Sequence, residues 1–416
     1  MLYAATILCV AEVLTMTGFS TYAALLPVLR AEWQASNTLA GAVSGAFFAG
    51  YLIAVPALAS LTDRIAARRV YLAGCLVLTA GSIAFAAAPS PAPAMLAHAL
   101  LGAGLAGTYM PGLKELSDRT AGHPRQARGI AFYTSTFGIG SSLSLWTAGA
   151  IQSHFDWRTA FAISAAGPIA AAALILIALP AAPFTPKPAS RRSLFSLVLR
   201  DRRIVGYITG YAAHCWELFA VRSWIVAFLG FAAPGARLSA PTIAAIINLL
   251  GPPASISGNE IASGRRVRVV RVIMAAGAAL ACATGLVTGM GAVTVIAVTS
   301  VYVLAIMADS AALTAGLIEA SPPEARGTAM AVYSFFGFGG ALVGPITFGA
   351  LLDAGGGAAL RRAWILAFAG LAAVSLTGVA ALTSRAAQPS DRPASRGARE
   401  DSRPKAPPPP ARTARS

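Results

Sequence analysis

From Tyr3 to Thr383 the chain is a succession of apolar stretches, each about as long as a bilayer is thick, divided by short polar loops. A hydrocarbon core about 30 Å across needs roughly 20 apolar residues in a helix. Spans are expected near residues 3–29, 37–61, 70–88, 94–113, 129–151 and 159–180. A second set is expected near 204–229, 240–262, 269–289, 293–318, 327–352 and 363–383. The breaks carry their own chemistry: Arg30-Ala-Glu32-Trp33, Thr62-Asp63-Arg64, the Pro89-Ser-Pro91-Ala-Pro93 run and Asp156-Trp157-Arg158. The first stretch is too long for a signal-peptide core and has no basic residues before it, so it reads as a span. The lack of any polar run ahead of it suggests a start codon placed late.

Composition agrees with lipid as the solvent. Only 12% of the 416 residues are charged and 56% are hydrophobic, whereas soluble domains carry about 25% charged residues. A formal charge of +16 would suit a nucleic-acid partner if it formed a stripe. Instead the basic residues sit in loops and in the tail, which excludes that reading. Cys9, Cys75, Cys215 and Cys282 lie inside apolar stretches without metal-ligand spacing, so they read as small fillers. No metal or cofactor is expected.

Basic-residue bias sets the orientation. With a cytoplasmic N-terminus, the inside loops hold Arg64, Arg68 and Arg69, then Lys114, Arg119, Arg125 and Arg128. They also take the six basic residues between Lys187 and Arg203, and Arg265, Arg266, Arg268, Arg271 and Arg326. The outside keeps Arg30, Arg158, Arg237, Arg361 and Arg362. An even number of spans returns the C-terminus to the cytoplasm, in the inner membrane. The Pro-, Ser- and Arg-rich segment 181–203 divides the spans into 1–180 and 204–383, and residues 384–416 form a basic, Pro-rich tail expected to be disordered.

The halves echo each other. Asp63 is followed by four spacers and Arg68-Arg69-Val70, and Glu260 by four spacers and Arg265-Arg266-Val267. Gly112-Leu-Lys-Glu115-Leu-Ser117 leads to Ala127-Arg128-Gly129, just as Gly316-Leu-Ile-Glu319-Ala-Ser321 leads to Ala325-Arg326-Gly327. Two echoes in the same order point to a parallel duplication of six spans. The expected fold is therefore an all-α membrane protein of about twelve transmembrane helices in two pseudo-symmetric six-helix bundles.

At these residues the chain resembles the major facilitator superfamily, over residues 3–383. Leu61-x-Asp63-Arg64 with Arg68-Arg69 is similar to that family's loop signature, with Ala59 and Ala66 in place of its glycines. His98-x-x-x-Gly102 is similar to its fourth-span Arg-x-x-x-Gly motif, and Asp156-Trp157-Arg158 is another shared feature. The fifth-span antiporter motif is half present: Gly129 and Gly138 fit, but Ser142-Leu143 replaces Gly-Pro. Gly340, Gly344 and Pro345 carry a similar pattern in span eleven, where they imply close helix packing. The resemblance implies a monomeric secondary transporter working between two rocking halves. Asp63, Arg64, Arg68, Arg69, Glu260, Arg265 and Arg266 then form a cytoplasmic gate whose ion pairs hold in one conformation.

Charges within spans cost about 2.5–3.5 kcal/mol even on lenient scales, so each calls for a cavity or a partner. The candidates are Glu12, His98 and Asp309, with Tyr207, Tyr211, His214, Glu217 and Arg222 concentrated in span seven. At 100° per residue Tyr211 and His214 lie about 60° apart and Arg222 about 20° from Tyr211, so they share a face. Glu217 lies about 140° from Arg222, which excludes a direct pair within the helix. Aligning spans one and seven pairs Glu12 with Glu217, placing them across the pseudo-two-fold axis near a central cavity. A low-dielectric cavity and a second nearby carboxylate both favour the neutral acid, the physics that a proton-coupled carrier needs. Asp309 is expected to face the solute, and Asn248 beside Gly251-Pro252-Pro253 to mark a helix break lining the cavity.

The substrate and proton pathway is thus expected at Glu12, Tyr211, His214, Glu217, Arg222 and Asp309. The leading reading is proton-coupled transport of a small polar solute. The alternatives are a small-anion permease organised around Arg222, a polytopic membrane enzyme, and a transporter-like sensor. No hydrolase or nucleotide motif supports the enzyme, and no sizeable soluble output domain supports the sensor.

Overall fold

The computed structural model describes residues 2–181 and 195–383; residues 182–194 of the expected 181–203 linker and the tail at 384–416 lie outside the described residues, and the rest of that linker is largely helical from Phe195. The first half contains α1 (Leu2–Thr15), a 3-10 turn (Met16–Gly18), α2 (Thr21–Glu32), α3 (Asn37–Leu61) and α4 (Ala67–Ala86). It continues with α5 (Pro91–Arg119), α6 (Gln126–Gln152), α7 (Trp157–Ser164) and α8 (Ala166–Ala178). The short α9 (Phe195–Arg200) precedes α10 (Arg202–Ala232), α11 (Ala240–Leu249), α12 (Gly251–Ala262) and α13 (Arg266–Leu286). The last three are α14 (Ala292–Ala320), α15 (Arg326–Ala354) and α16 (Arg361–Thr383). Apart from α9, and with α1–α2, α7–α8 and α11–α12 each taken as one broken rod, these make twelve membrane-length rods.

Among the described residues, ten rods are long and apolar enough to cross a membrane. The remaining two, α5 and α6, have the length at 29 and 27 residues, but Gly, Ser and Thr dilute their apolar character. The reason is position. α5 packs closely on both α3 and α4, and α6 touches helices of both halves. Faces turned toward protein or a cavity need small or polar residues rather than lipid-compatible ones.

The rods that break do so where side chains take over backbone groups, as membrane-embedded irregularity requires. The span expected as one helix over 3–29 is interrupted at Met16–Gly18. There Thr17 Oγ donates to the Leu14 and Ser164 carbonyls, and Ser144 Oγ accepts from Ser20 N–H. The break between α11 and α12 falls at Leu250, one residue before Gly251-Pro252-Pro253, because proline cannot donate to the preceding turn. Asp156 caps α7 by accepting from Thr159 N–H at 2.7 Å. That bond, the Thr159 side chain and the nearby Arg158 hold its carboxyl below the ordinary range.

Among the described residues the halves join chiefly through α3 with α15, α6 with α11 and α2 with α10, with a smaller contact of α6 with α12. The α3–α15 seam is close because it is built on missing side chains. A Cβ on Gly41 would collide with the Pro345 carbonyl oxygen. Gly340 and Gly344 press against α10, where a Cβ would strike the Ala212 and Trp216 carbonyl oxygens. The Pro345 carbonyl accepts from Trp224 Nε1 at 3.0 Å. At one end of the seam Asp353 accepts from Asn37 N–H (3.1 Å), Asn37 Nδ2 (2.7 Å), Thr38 N–H (2.8 Å) and Thr38 Oγ1 (2.6 Å). A carboxylate of one half thereby caps a helix of the other, where the helix dipole favours negative charge. From there the described contacts continue inward to the Tyr51–Phe338 ring pair, with centroids 4.3 Å apart.

Candidate functional site

The centre of the molecule is the place where α2, α3, α6, α10 and α11 meet. Two small pockets lie there, and Ser20 and Arg222 line both. Phe47, Phe48, His98 and Phe219 wall the first; Ser141 and Asn248 line the second. Hydroxyls stitch the halves together around them. Ser44 Oγ lies 2.6 Å from Ser223 Oγ, and Asn248 Nδ2 donates to Ser141 Oγ at 3.0 Å.

Arg222 is the charged residue of this centre. Its guanidinium carbon lies 5.5 Å from the ring centroids of Phe137 on α6 and Phe219 on α10, so both halves grip it. Its described polar contact is Nη2 to Met307 Sδ at 3.7 Å, a weak acceptor, and its Nε is shielded without a partner. Among the described residues it forms no ion pair.

The carboxylates expected beside it are engaged elsewhere. Asp309, expected to face the solute, is 3% exposed and lines neither cavity. Its Oδ1 lies 2.6 Å from His214 Nδ1, a charge contact off the axis of a ring N–H. The reason is that Asp309 projects from α14 into the interior of its own half, toward α10. Glu217 is likewise enclosed and accepts from Tyr302 Oη at 2.7 Å. Glu12 is fully buried and accepts from Tyr133 Oη at 2.9 Å, within the packing of α1, α5 and α6. The expectation that Glu12 and Glu217 meet near the cavity is therefore corrected. A helical wheel fixes angles between residues but not which face the partner half covers. Tyr211 lies on the same side as His214, its ring nearly parallel to His214 (centroids 5.7 Å) and stacked on Tyr333 at 3.8 Å.

The gate residues sit at the opposite end of the bundle from Asp353. Arg266 makes a two-pronged contact with Glu319, with bonds of 3.0 and 2.7 Å, and adds Asn259. Arg68 donates to the Ile175 and Leu176 carbonyls near the end of α8. Among the described residues Asp63, Arg64, Arg69, Glu260 and Arg265 form no ion pair, so neither repeat closes an acid–arginine pair across its own loop in this conformation.

Several participants carry no flag in the sequence. Tyr133 and Tyr302 look like ordinary apolar-span residues until their hydroxyls meet a carboxylate. The serines at 20, 44, 141 and 223 read as small packing residues. Asp353 lies at a span end, where an acid costs little; its distance of four residues from Gly349 is the signal that it shares the tight face of α15.

Comparison with known proteins now places the chain. The Multidrug resistance protein Stp of Mycobacterium tuberculosis (strain CDC 1551 / Oshkosh) is 29% identical over 122 residues, a match covering 29% of this chain and 23% of that protein. A bacterial homologue of the human lysosomal transporter Spinster, solved inward-facing and occupied, superposes with TM-score 0.73 at 16% identity, covering 92% of this chain and 95% of that one. A point mutant of the nucleoside transporter NupG gives TM-score 0.77 at 16% identity, with 91% and 98% covered. Both structures establish the shared fold. The sequence pattern of the Major Facilitator Superfamily matches residues 8–318, and this chain belongs to that superfamily.

Proposed function

We propose that the protein is a proton-coupled secondary transporter, moving a small polar solute across the cytoplasmic membrane by alternating access. Membership of a family of secondary transporters supplies the coarse activity and makes this a carrier rather than an enzyme. The observation that carries the coupling is the ionisable cluster between α10 and α14: His214 against Asp309 at 2.6 Å and Glu217 under Tyr302 at 2.7 Å. Charges this deep in a membrane protein, paired side by side on two helices, have the composition of a proton relay.

In this reading residues 1–180 and 204–383 are the two moving units, with both termini cytoplasmic. The end sealed by Asp353 then faces outward, and the end carrying the unpaired Asp63 opens to the cytoplasm. Proton exchange at the His214–Asp309 pair would alter how α10 holds α14, and α10 also carries Arg222 into the solute cavity. One helix thus joins the two events.

The test is transport in proteoliposomes with and without an imposed pH gradient. Glu217→Gln and Asp309→Asn imitate protonated carboxyls at nearly constant volume. At least one of them should abolish gradient-driven accumulation while leaving solute exchange partly intact. Accumulation with unchanged pH dependence in both variants would remove this cluster as the coupling site. Running the gradient in each direction separates uptake from efflux.

A further inference from the structure

Arg222 presents an unusual electrostatic situation. The acidic groups on the elements packed around it are engaged elsewhere: Asp309 by His214, Glu217 by Tyr302, Glu319 by Arg266, Glu32 by Arg158, and Glu115 and Asp118 by Arg119 and Lys114. A guanidinium has five N–H donors, yet a thioether sulfur is the acceptor described for this one. Withdrawing such a charge from water without a counter-ion is costly, and supplying a carboxylate is the usual remedy. The planar fork suits a carboxylate in two-pronged contact.

A second polar side chain, His98, lines the first of these pockets with Arg222. His98 is 3% exposed, and its Nδ1 lies 2.7 Å from the Val43 carbonyl oxygen. A carbonyl only accepts, so Nδ1 carries the hydrogen and, in the neutral ring, Nε2 presents a lone pair. That Nε2 is buried without a partner. Between these two polar ends the walls are aromatic: Phe47 stands 5.3 Å from the His98 ring, and Phe48 packs 4.5 Å from Phe219. Flat apolar surfaces favour a flat ligand.

Building on the carrier reading, we infer that the solute is a small, flat organic acid: its carboxylate on Arg222, its ring between the phenylalanines, and a hydroxyl or N–H donated to His98 Nε2. A neutral solute leaves the guanidinium uncompensated, and a lipophilic cation meets it as a like charge.

The experiment uses the full chain purified in detergent, with 4-hydroxybenzoate as probe. Benzoate lacks the second donor, 4-hydroxybenzyl alcohol lacks the charge, and tetraphenylphosphonium reverses it. Calorimetric titration should show 4-hydroxybenzoate binding at least about tenfold more tightly than the alcohol, the equivalent of one charge-assisted contact. Arg222→Gln should erase that preference and Arg222→Lys keep part of it. His98→Phe should erase the preference for 4-hydroxybenzoate over benzoate while benzoate itself still binds. If Arg222→Gln does not yield monodisperse protein, the comparison of acid with alcohol on the unmodified chain and on Arg222→Lys decides the matter. Equal affinity for acid and alcohol, binding of tetraphenylphosphonium in preference to the acids, or no binding of either acid overturns the inference. No gradient exists in detergent, so the outcome is independent of proton coupling. A chain that binds the acid through Arg222 but accumulates it without regard to pH would fail the coupling reading alone.

Discussion

At the scale of single residues, two buried glutamates share a chemistry and differ in neighbourhood. Each accepts a hydrogen bond from a tyrosine, Glu12 from Tyr133 and Glu217 from Tyr302. Glu217 belongs with the His214–Asp309 pair, whereas Glu12 sits among the packed helices of the first half. Removing either hydroxyl leaves a buried carboxyl short of a donor, at a cost of about 1–3 kcal/mol. Tyr133→Phe and Tyr302→Phe should therefore both lower the thermal unfolding midpoint in detergent. They should part company in transport: Tyr302→Phe shifts the pH profile of uptake and Tyr133→Phe leaves it in place. A shifted profile in Tyr133→Phe would return Glu12 to the proton pathway. The sequence makes the charges legible because each is an expense inside an apolar stretch. It hides their partners, since a tyrosine or serine in the same stretch costs almost nothing and raises no signal. Arg222 is visible as a charge, but the fact that no acid answers it emerges only once every nearby carboxylate has been placed.

At the scale of elements, the helix order and most boundaries follow from span length, proline and loop charge. The doubled acid–Arg-Arg pattern also exposes the repeat. The interruption of the first rod is not legible, because Thr17 and Ser20 mark a break only when the Ser164 carbonyl and the Ser141 and Ser144 hydroxyls of α6 meet them. The cap of Asp353 on α3 joins the halves through four hydrogen bonds and belongs to this scale. Asp353→Ala frees four donors and should loosen the α3–α15 seam at that end. Spin labels at the exposed Ala31 and Ala359 should report a larger population of long distances by pulsed electron resonance. An unchanged distribution would assign the closure to the glycine seam alone. At the opposite end, Asp63→Asn should preserve expression and cut transport, because it deletes a conformation-dependent charge at constant volume. Glu260→Gln should act more mildly. Normal transport in the double variant would reduce both loops to topological anchors.

At the scale of the whole molecule, the arrangement is a pair of helical bundles held shut along one end, with Arg222 where they meet. The orientation assigned from loop charge predicts that a reporter fused after Ser416 is active in the cytoplasm and silent in the periplasm. The reverse result would turn the closed end toward the cytoplasm. A different consequence comes from α5 and α6, the two rods that fall short of the hydropathy of the other ten. A nascent helix enters the bilayer by partitioning, and these two gain little from lipid by themselves. They must be accepted by helices already in place, and α3 and α4 are the surfaces that α5 packs against. Biogenesis is therefore ordered: the rods that precede α5, with α3 and α4 among them, form a template before the α5–α6 hairpin can remain. An isolated α5–α6 hairpin should be stripped from membranes by alkaline carbonate, whereas a fragment running from α1 to α6 should resist it. Substitutions along α5 that disturb nothing in transport should then still register as lost yield, because the ribosome and the translocon encounter this seam before any solute does.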